Sequence, residues 1–245
     1  MQEHRDDGHP DGVPVPRPGD DVSGTGAGTG AAEPSGPAID PRLRAVLERS
    51  KDRGLLGRGA VEDHVANARA FGAAIESGGR GWPARLLDLG SGGGVPGLVL
   101  AVEREGEVVL LDSAQRRIEV LRAAVADLDL ADRVEVVHGR AEDLARDPAL
   151  RHRFPVVTSR SFGPPAVTAE CAAAFLEGPG ARLLVSEPPT AEDGRWPVDG
   201  LAVLGLRPST RTSGDSATIQ CIEVDGPLDD RFPRRPGVPE RRPLF

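Results

Sequence analysis

The residues best suited to chemistry lie in a glycine-rich segment, residues 87–97, which reads Leu-Asp-Leu-Gly-Ser-Gly-Gly-Gly-Val-Pro-Gly. An apolar run precedes it and a helical pattern follows it, which predicts a turn between a strand and a helix. Glycines allow such a turn to bend tightly and its backbone to approach a ligand. The spacing Gly92-x-Gly94-x-x-Gly97 matches a dinucleotide-binding pattern, although an ordinary turn of a parallel sheet also produces such matches.

Two aspartates narrow the choice of ligand. Asp112 is predicted to end the second strand, where a carboxylate can accept hydrogen bonds from the vicinal hydroxyls of a ribose. Asp88 lies just before the glycines, where its charge would repel a pyrophosphate but attract the amino and sulfonium groups of S-adenosylmethionine (SAM). The pair therefore favours SAM over NAD. The structural alternatives are that Asp88 caps the amides of the turn and that Asp112 caps the next helix.

The elements that would position these residues alternate between short apolar runs and helical patterns. Strands are predicted over 85–89, 107–112, 134–137, 155–158 and 181–185, and helices over 97–103, 114–128 and 166–176. This alternation predicts an α/β fold, a Rossmann-like doubly wound parallel sheet with helices on both faces. Two last strand-like runs, 201–206 and 217–224, predict an antiparallel edge. Two helices, after Asp40-Pro41 and over 60–76, are predicted to precede the sheet.

Composition divides the 245 residues into three parts: a tail over 1–38, a helical segment over 39–80, and a cofactor-binding domain over 81–245. The tail is crowded with glycine and proline, so we expect it to be disordered. It carries a net charge of −5 out of the total of −8, which leaves −3 for the other two parts. The acidic total is therefore no strong argument against a nucleic-acid substrate.

The sequence argues against a disulfide-rich, zinc-binding, membrane-spanning or secreted protein. The two isolated cysteines, Cys171 and Cys221, form neither a disulfide framework nor a zinc-binding pattern. No apolar run reaches the roughly 18 residues of a membrane span, and the acidic N-terminus does not resemble a signal peptide. We therefore expect a cytoplasmic protein that binds neither a membrane nor a metal ion.

Residues 88–97 resemble motif I of the class I SAM-dependent methyltransferases, and their Gly-Val-Pro-Gly ending resembles the RsmG (GidB) family, which methylates N7 of a guanine in 16S ribosomal RNA. Further stretches are similar to segments of that family, namely 53–57, 63–64, 110–121, 139–143, 158–162 and 232–244. The resemblance covers about residues 41–245 and leaves the tail unmatched.

The resemblance implies a SAM-dependent methyltransferase that acts on 16S rRNA or the small ribosomal subunit. We expect the protein to be a monomer. The implied cofactor residues are Asp88, Gly90, Gly92, Gly94 and Gly97 at the methionine end and ribose, Asp112 at the ribose hydroxyls, and Ala141 and Glu142 near the adenine. The implied catalytic residue is Arg160, and the implied RNA contacts are Arg160, Arg234, Arg235, Arg241 and Arg242. Guanine N7 has no proton to lose, so no general base is required; His64 and His138 are the candidates if one is used.

Two acids depart from the pattern of the family. Asp63 stands where the family has an arginine, and Glu187 stands where it has a lysine after the fifth strand. Acids at these positions would repel phosphates, which leaves two alternatives: a related methyltransferase acting on another RNA or a small molecule, and a SAM-binding relative that has lost catalysis. An NAD dehydrogenase fits less well, because Asp88 and Pro96 do not suit a pyrophosphate turn.

Overall fold

The computed structural model of the protein describes residues 37–188, 191 and 194–245. The predicted disordered tail therefore lies outside the described residues, except for positions 37 and 38. The helices of the described residues are α1 (Pro41–Asp52), α2 (Val61–Ser77), α3 (Gly97–Glu103), α4 (Gln115–Asp127), α5 (Ala141–Leu144), α6 (Pro165–Ala173), α7 (Val198–Ala202) and α8 (Val238–Arg241). Within this part of the chain, none of them is both long and apolar enough to span a bilayer.

The strands of the described residues form one mixed sheet. They are β1 (Arg85–Leu89), β2 (Glu107–Asp112), β3 (Val134–His138), β4 (Val156–Ser159), β5 (Arg182–Glu187), β6 (Leu206–Ser213) and β7 (Thr218–Val224). Their order is β3-β2-β1-β4-β5-β7-β6. Strands β1 to β5 are parallel, whereas β7 runs antiparallel to both β5 and β6. The predicted α/β fold with an antiparallel edge is confirmed, and its strand order reverses between β1 and β4, where such sheets bind ligands.

Helices cover both faces of the sheet and bury its apolar side chains. On one face, Phe71 and Ile75 of α2 pack with residues from α1, α3 and α4. On the other face, Phe154 and Phe175 pack edge to face beside residues of α6 and α7. Because both faces are covered, the inner strands β1, β2, β4 and β5 contain nearly continuous apolar runs, whereas the edge strand β3 is only partly buried. The first helix begins as predicted, because the Asp40 carboxylate accepts hydrogen bonds from two amides of its first turn.

The strand predicted over 201–206 is wrong. Its first residues belong to α7 and to the turn after it, where Leu201 and Leu204 are buried and Gly205 has a φ of +66°. The edge strand β6 begins only at Leu206 and is largely exposed. An exposed edge strand needs no apolar alternation, so its polar sequence does not indicate a strand. The two four-residue helices, α5 and α8, are too short to show a helical period.

Candidate active site

The glycine-rich turn joins the end of β1 to the start of α3, as predicted. Gly90 has a φ of +75°, and a Cβ atom at this position would lie 2.6 Å from the ring of Phe162. Gly93 lies against the connection between α1 and α2, because a Cβ atom there would be 2.8 Å from the carbonyl oxygen of Leu55. Glycine is therefore needed at both positions by close packing.

Asp88 fastens this turn to the sheet. Its side chain is buried, with Oδ2 accepting the amide of Gly97 at 3.1 Å and Oδ1 accepting the hydroxyl of Thr158 at 2.9 Å. These bonds correspond to the structural alternative, in which the carboxylate caps the turn. Burial raises the pKa of Asp88 to about 6, against an opposing effect of the hydrogen bonds from Thr158, Ser91 and Gly97. Any contact of Asp88 with the cofactor stays a prediction.

Ionisation of Asp88 should make stability depend on pH. A carboxyl group with a raised pKa in the folded protein binds its proton more tightly there than in the unfolded chain, so its stabilising contribution is lost as the pH rises from about 4 to about 6. We compare the free energy of unfolding of Asp88→Asn with that of the wild type. The difference, variant minus wild type, should be about 3 kcal/mol larger at pH 7 than at pH 4. Denaturant unfolding across this range measures the difference. Asp132→Asn, the same substitution at an exposed carboxylate, is the control; a difference between Asp88→Asn and the wild type that does not change with pH would contradict the buried charge.

A first cavity of about 290 Å³ opens beyond the carboxyl ends of β1 and β2. Asp112 lines it, and its buried carboxylate accepts the amides of Gly92 and Ala114, each at 2.9 Å, while Arg117 Nη1 lies 3.3 Å from Oδ2. Asp112 thus ties the glycine-rich turn to Ala114, just before α4, but it does not form the helix cap of the structural alternative. A carboxylate has about four acceptor positions, so the side chain retains capacity for a ribose hydroxyl.

The rest of the first cavity suits a purine nucleoside. The predicted adenine-side residues Ala141 and Glu142 both line it, and so does Gly90. Glu142 is buried and accepts the side chain of Arg140 at 3.0 Å and the amide of Gly237 at 2.9 Å. The apolar lining includes Phe162, Pro164 and Val167. A lining that combines carboxylate acceptors with apolar side chains fits the adenosine part of SAM.

A second cavity of about 530 Å³ adjoins the first. Residues 161–163 line both, so the ring of Phe162 separates them. Arg160 lies in this second cavity with Asn67, whose Nδ2 donates to the Ser186 hydroxyl at 3.1 Å. The Oδ1 atom of Asn67 is buried and has no hydrogen-bond partner among the residues that the structure describes. The two cavities together can hold a nucleoside cofactor beside a second ligand.

Comparison with known proteins identifies the chain. Residues 58–189, more than half of the sequence, match the family model described as GidB, rRNA small subunit methyltransferase G. The chain belongs to the GidB family. The ribosomal RNA small subunit methyltransferase G of Pelotomaculum thermopropionicum is 34% identical over 167 residues, which are 65% of this chain and 69% of the relative. The enzyme of the same name from Leuconostoc citreum is 33% identical over 165 residues, again 65% of this chain and 69% of the relative.

Solved structures agree with the GidB assignment at the level of the fold. The O-methyltransferase of Bacillus cereus in complex with SAH superposes with a TM-score of 0.53 at 18% identity, covering 76% of this chain and 92% of that one. A methyltransferase of Geobacter sulfurreducens gives 0.55 at 17% identity, covering 78% and 91%. The predicted family and the predicted SAM-dependent methyltransferase are confirmed.

The two acids that depart from the GidB pattern both have structural partners. Glu187 is buried, accepts the indole Nε1 of Trp196 at 2.8 Å, and forms an ion pair with Arg195 at 2.9 Å. Its charge is therefore compensated where it lines the second cavity. Asp63 is exposed and accepts the amide of Ala60 at 2.9 Å, which caps the start of α2. Each acid thus has a role in the fold of this GidB member.

The predicted RNA-contact arginines divide into two kinds. The Arg234 guanidinium binds the fully buried carboxylate of Glu170, with Nη2 at 2.5 Å from Oε2 and Nε at 2.9 Å from Oε1. Its side chain therefore stabilises the fold, and its contact with RNA stays a prediction. Arg235, Arg241 and Arg242 are exposed.

The site of this GidB member also includes Asn67 and Phe162, to which no role was assigned from the sequence, and the candidate base His64. Asn67 and Phe162 face the cavities, and His64 Nδ1 lies 2.8 Å from Nη2 of Arg160. His64 and Asn67 are three residues apart on α2, a spacing that places both on one face of a helix and could have indicated a shared role. His138 lies at the end of β3, with Nε2 at 3.2 Å from the Ser113 carbonyl.

Proposed function

We propose that the protein transfers a methyl group from SAM to N7 of a guanine in 16S rRNA. One observation carries this proposal: two cavities at the carboxyl edge of the sheet share the wall at Phe162. The first has the carboxylate of Asp112 and suits a nucleoside cofactor. The second has the cationic side chain of Arg160 and suits a nucleotide. The curated relatives are named for the RNA of the small ribosomal subunit, which supplies the class of nucleotide.

Methyl transfer to guanine N7 requires the protein to position the reactants and does not require a general acid or base. Bound SAM supplies a methyl group made electrophilic by its sulfonium, and guanine N7 attacks with an unshared pair that carries no proton. Neither histidine near the site is poised as a base, since His64 Nδ1 is engaged by Arg160 and His138 Nε2 lies beside a backbone carbonyl. Arg160 donates to oxygen acceptors of the target nucleotide, and the side chain of Asn67, whose Oδ1 is buried, lines the same cavity. Together these side chains hold the base for an in-line displacement.

Phosphate contacts would come from exposed arginines beside the cavities. The short helix α8 borders the first cavity, because Glu240 lines it and the amide of Gly237 is bound by Glu142. Arg241 and Arg242 lie at the end of this helix, and a second group, Arg116 and Arg122, is exposed on α4. These side chains can bind the RNA backbone. We further propose that the protein acts as a monomer on ribosomal subunits in the cytoplasm.

The test is transfer of labelled methyl groups from SAM to 30S particles isolated from cells that lack the modification. We expect label in 16S rRNA at a guanine that becomes sensitive to reduction and aniline cleavage, the signature of an N7-methylated purine. Arg160→Met should lose most of this transfer while retaining SAM binding, since Arg160 lines only the second cavity. If the protein binds SAM but no label enters the RNA, the result would favour the alternative that this protein binds SAM and has lost catalysis. Label in another RNA or in a small molecule would favour the related methyltransferases.

A further inference from the structure

The hydrogen-bond partner of the Arg160 guanidinium is neutral, whereas two other arginines of the protein bind buried carboxylates. Arg195 pairs with Glu187 and Arg234 pairs with Glu170, so in both cases a carboxylate offsets the positive charge. Within the part of the chain that the structure describes, the hydrogen-bond partner of the Arg160 guanidinium is the imidazole of His64, at 2.8 Å. A neutral acceptor fixes the direction of a guanidinium without forming an ion pair with it, and the carboxylate of Asp88 acts on Arg160 only through its charge.

The backbone determines which ring nitrogen of His64 can accept. Nε2 lies 3.1 Å from the carbonyl oxygen of Gly57, which can only accept a hydrogen bond. Nε2 therefore carries the ring proton and donates it to Gly57, which leaves the lone pair of Nδ1 free to accept from Arg160. The ring itself is almost fully buried, at 2% exposure, so it cannot readily turn away. The chain of contacts runs from the Gly57 carbonyl through His64 to Arg160.

We propose that His64 is a positioning residue, whose neutral imidazole aims the Arg160 guanidinium at the target nucleotide in the second cavity. The proposal deepens the function proposed above and rests on it, because it assigns to Arg160 the oxygen acceptors of that nucleotide. His64 does not line either cavity, so it acts through Arg160.

Protonation of His64 would end this arrangement. A second ring proton would replace the acceptor at Nδ1 with a donor and would place two cations side by side. The charged groups around the ring are Arg160 after β4, Lys51 of α1 and Asp63 of α2. Burial, together with the charge of Arg160, lowers the pKa of His64 from its usual value, whereas Asp63 opposes the shift. The ring is therefore neutral near pH 7, and methyl transfer should decline in acid as His64 gains its proton.

A first experiment tests the contact without any RNA. Nitrogen-15 NMR of histidine-labelled protein distinguishes the five histidines by their tautomer and titration midpoint, with the His64 signal assigned from its loss in His64→Asn. We expect His64 as the Nε2–H tautomer, with a midpoint that rises in Arg160→Met because a neighbouring cation has been removed. A ring protonated on Nδ1 at neutral pH would overturn the proposal, and so would a midpoint that Arg160→Met leaves unchanged.

A second experiment tests the consequence for substrate. His64→Ala should lower kcat/KM for 30S particles about tenfold or more, the worth of a hydrogen bond to a charged group, and leave the Kd for SAM within about twofold. His64→Asn, which keeps an acceptor near the position of Nδ1, should recover part of the loss. In an Arg160→Met background the effect of His64→Ala should disappear. Equal losses in the two backgrounds would overturn the positioning role, and thermal unfolding of each variant identifies a loss of fold.

The matched control is His152→Asn. His152 also bonds a backbone carbonyl, that of Leu176 at 2.9 Å, but it lies beside the amino-terminal edge of the sheet and has a φ of 55°, which asparagine tolerates well. Its substitution should change neither kinetic parameter. If the wild type methylates no 30S particle, the proposed function fails, while the NMR result still decides whether His64 holds Arg160.

Discussion

Asp112→Ala should weaken SAM binding about 100-fold, because the loss of a hydrogen bond to a charged acceptor costs up to about 3 kcal/mol. Asp112 is a buried carboxylate of the first cavity, and it also accepts the amides of Gly92 and Ala114. The substitution thus removes the acceptor for the ribose and loosens the turn that surrounds it. Isothermal titration calorimetry measures the change in Kd directly.

The matched control is Asp132→Ala, which removes an exposed carboxylate at the opposite end of the sheet and should leave the affinity unchanged. A cofactor analogue without the ribose hydroxyls separates the two roles of Asp112. If the carboxylate binds these hydroxyls, Asp112→Ala should weaken binding of the analogue less than it weakens binding of SAM, and the loss that remains measures the loosened turn. Equal affinity of both proteins for SAM itself would reject the ribose assignment.

Arg234→Ala should destabilise the fold by about 3–5 kcal/mol, the usual cost of leaving one partner of a buried ion pair alone. Glu170 lies fully buried in α6, and the side chain and amide of Arg234 supply its hydrogen bonds. Without the guanidinium, the carboxylate keeps only the Arg234 amide as a donor among the described residues. The expected fall in Tm is about 10 °C for a chain of this size, measured by calorimetry or circular dichroism.

Arg235→Ala is the neighbouring control, since its side chain is exposed and its removal should change stability by no more than about 0.5 kcal/mol. The double variant Arg234→Met with Glu170→Met should recover much of the loss, because it removes both charges from the interior. An unchanged Tm in Arg234→Ala would contradict the structural role and would return this arginine to the RNA-contact group.

The first cavity could be predicted from the sequence because its residues follow the ends of neighbouring strands. Asp88 of β1 pairs in register with Leu110 of β2, so a motif at the end of either strand must lie near the other. The order of apolar runs therefore brings Asp112, Gly90 and Ala141 to one edge once a parallel sheet is assumed. The same logic gives Arg160 its place after β4.

The second cavity could not be predicted in this way, because its side chains come from elements distant in the sequence. His64 and Arg160 are 96 positions apart, and their contact depends on how α2 packs on the sheet. The charge of Glu187 likewise could not be judged, since its partner Arg195 lies in a segment without any periodic pattern. The partner of Arg234 also could not be predicted, because Glu170 lies 64 positions earlier in the chain and its burial depends on the packing of α6.

The connection between α1 and α2 touches both halves of the site. The carbonyl of Leu55 backs Gly93 of the glycine-rich turn, and the carbonyl of Gly57 holds the ring of His64. Yet none of residues 53–60, all of which the structure describes, lines either cavity. Any change to the connection between α1 and α2 should therefore affect both cavities, because one short stretch of backbone supports the glycine-rich turn and the imidazole that holds Arg160.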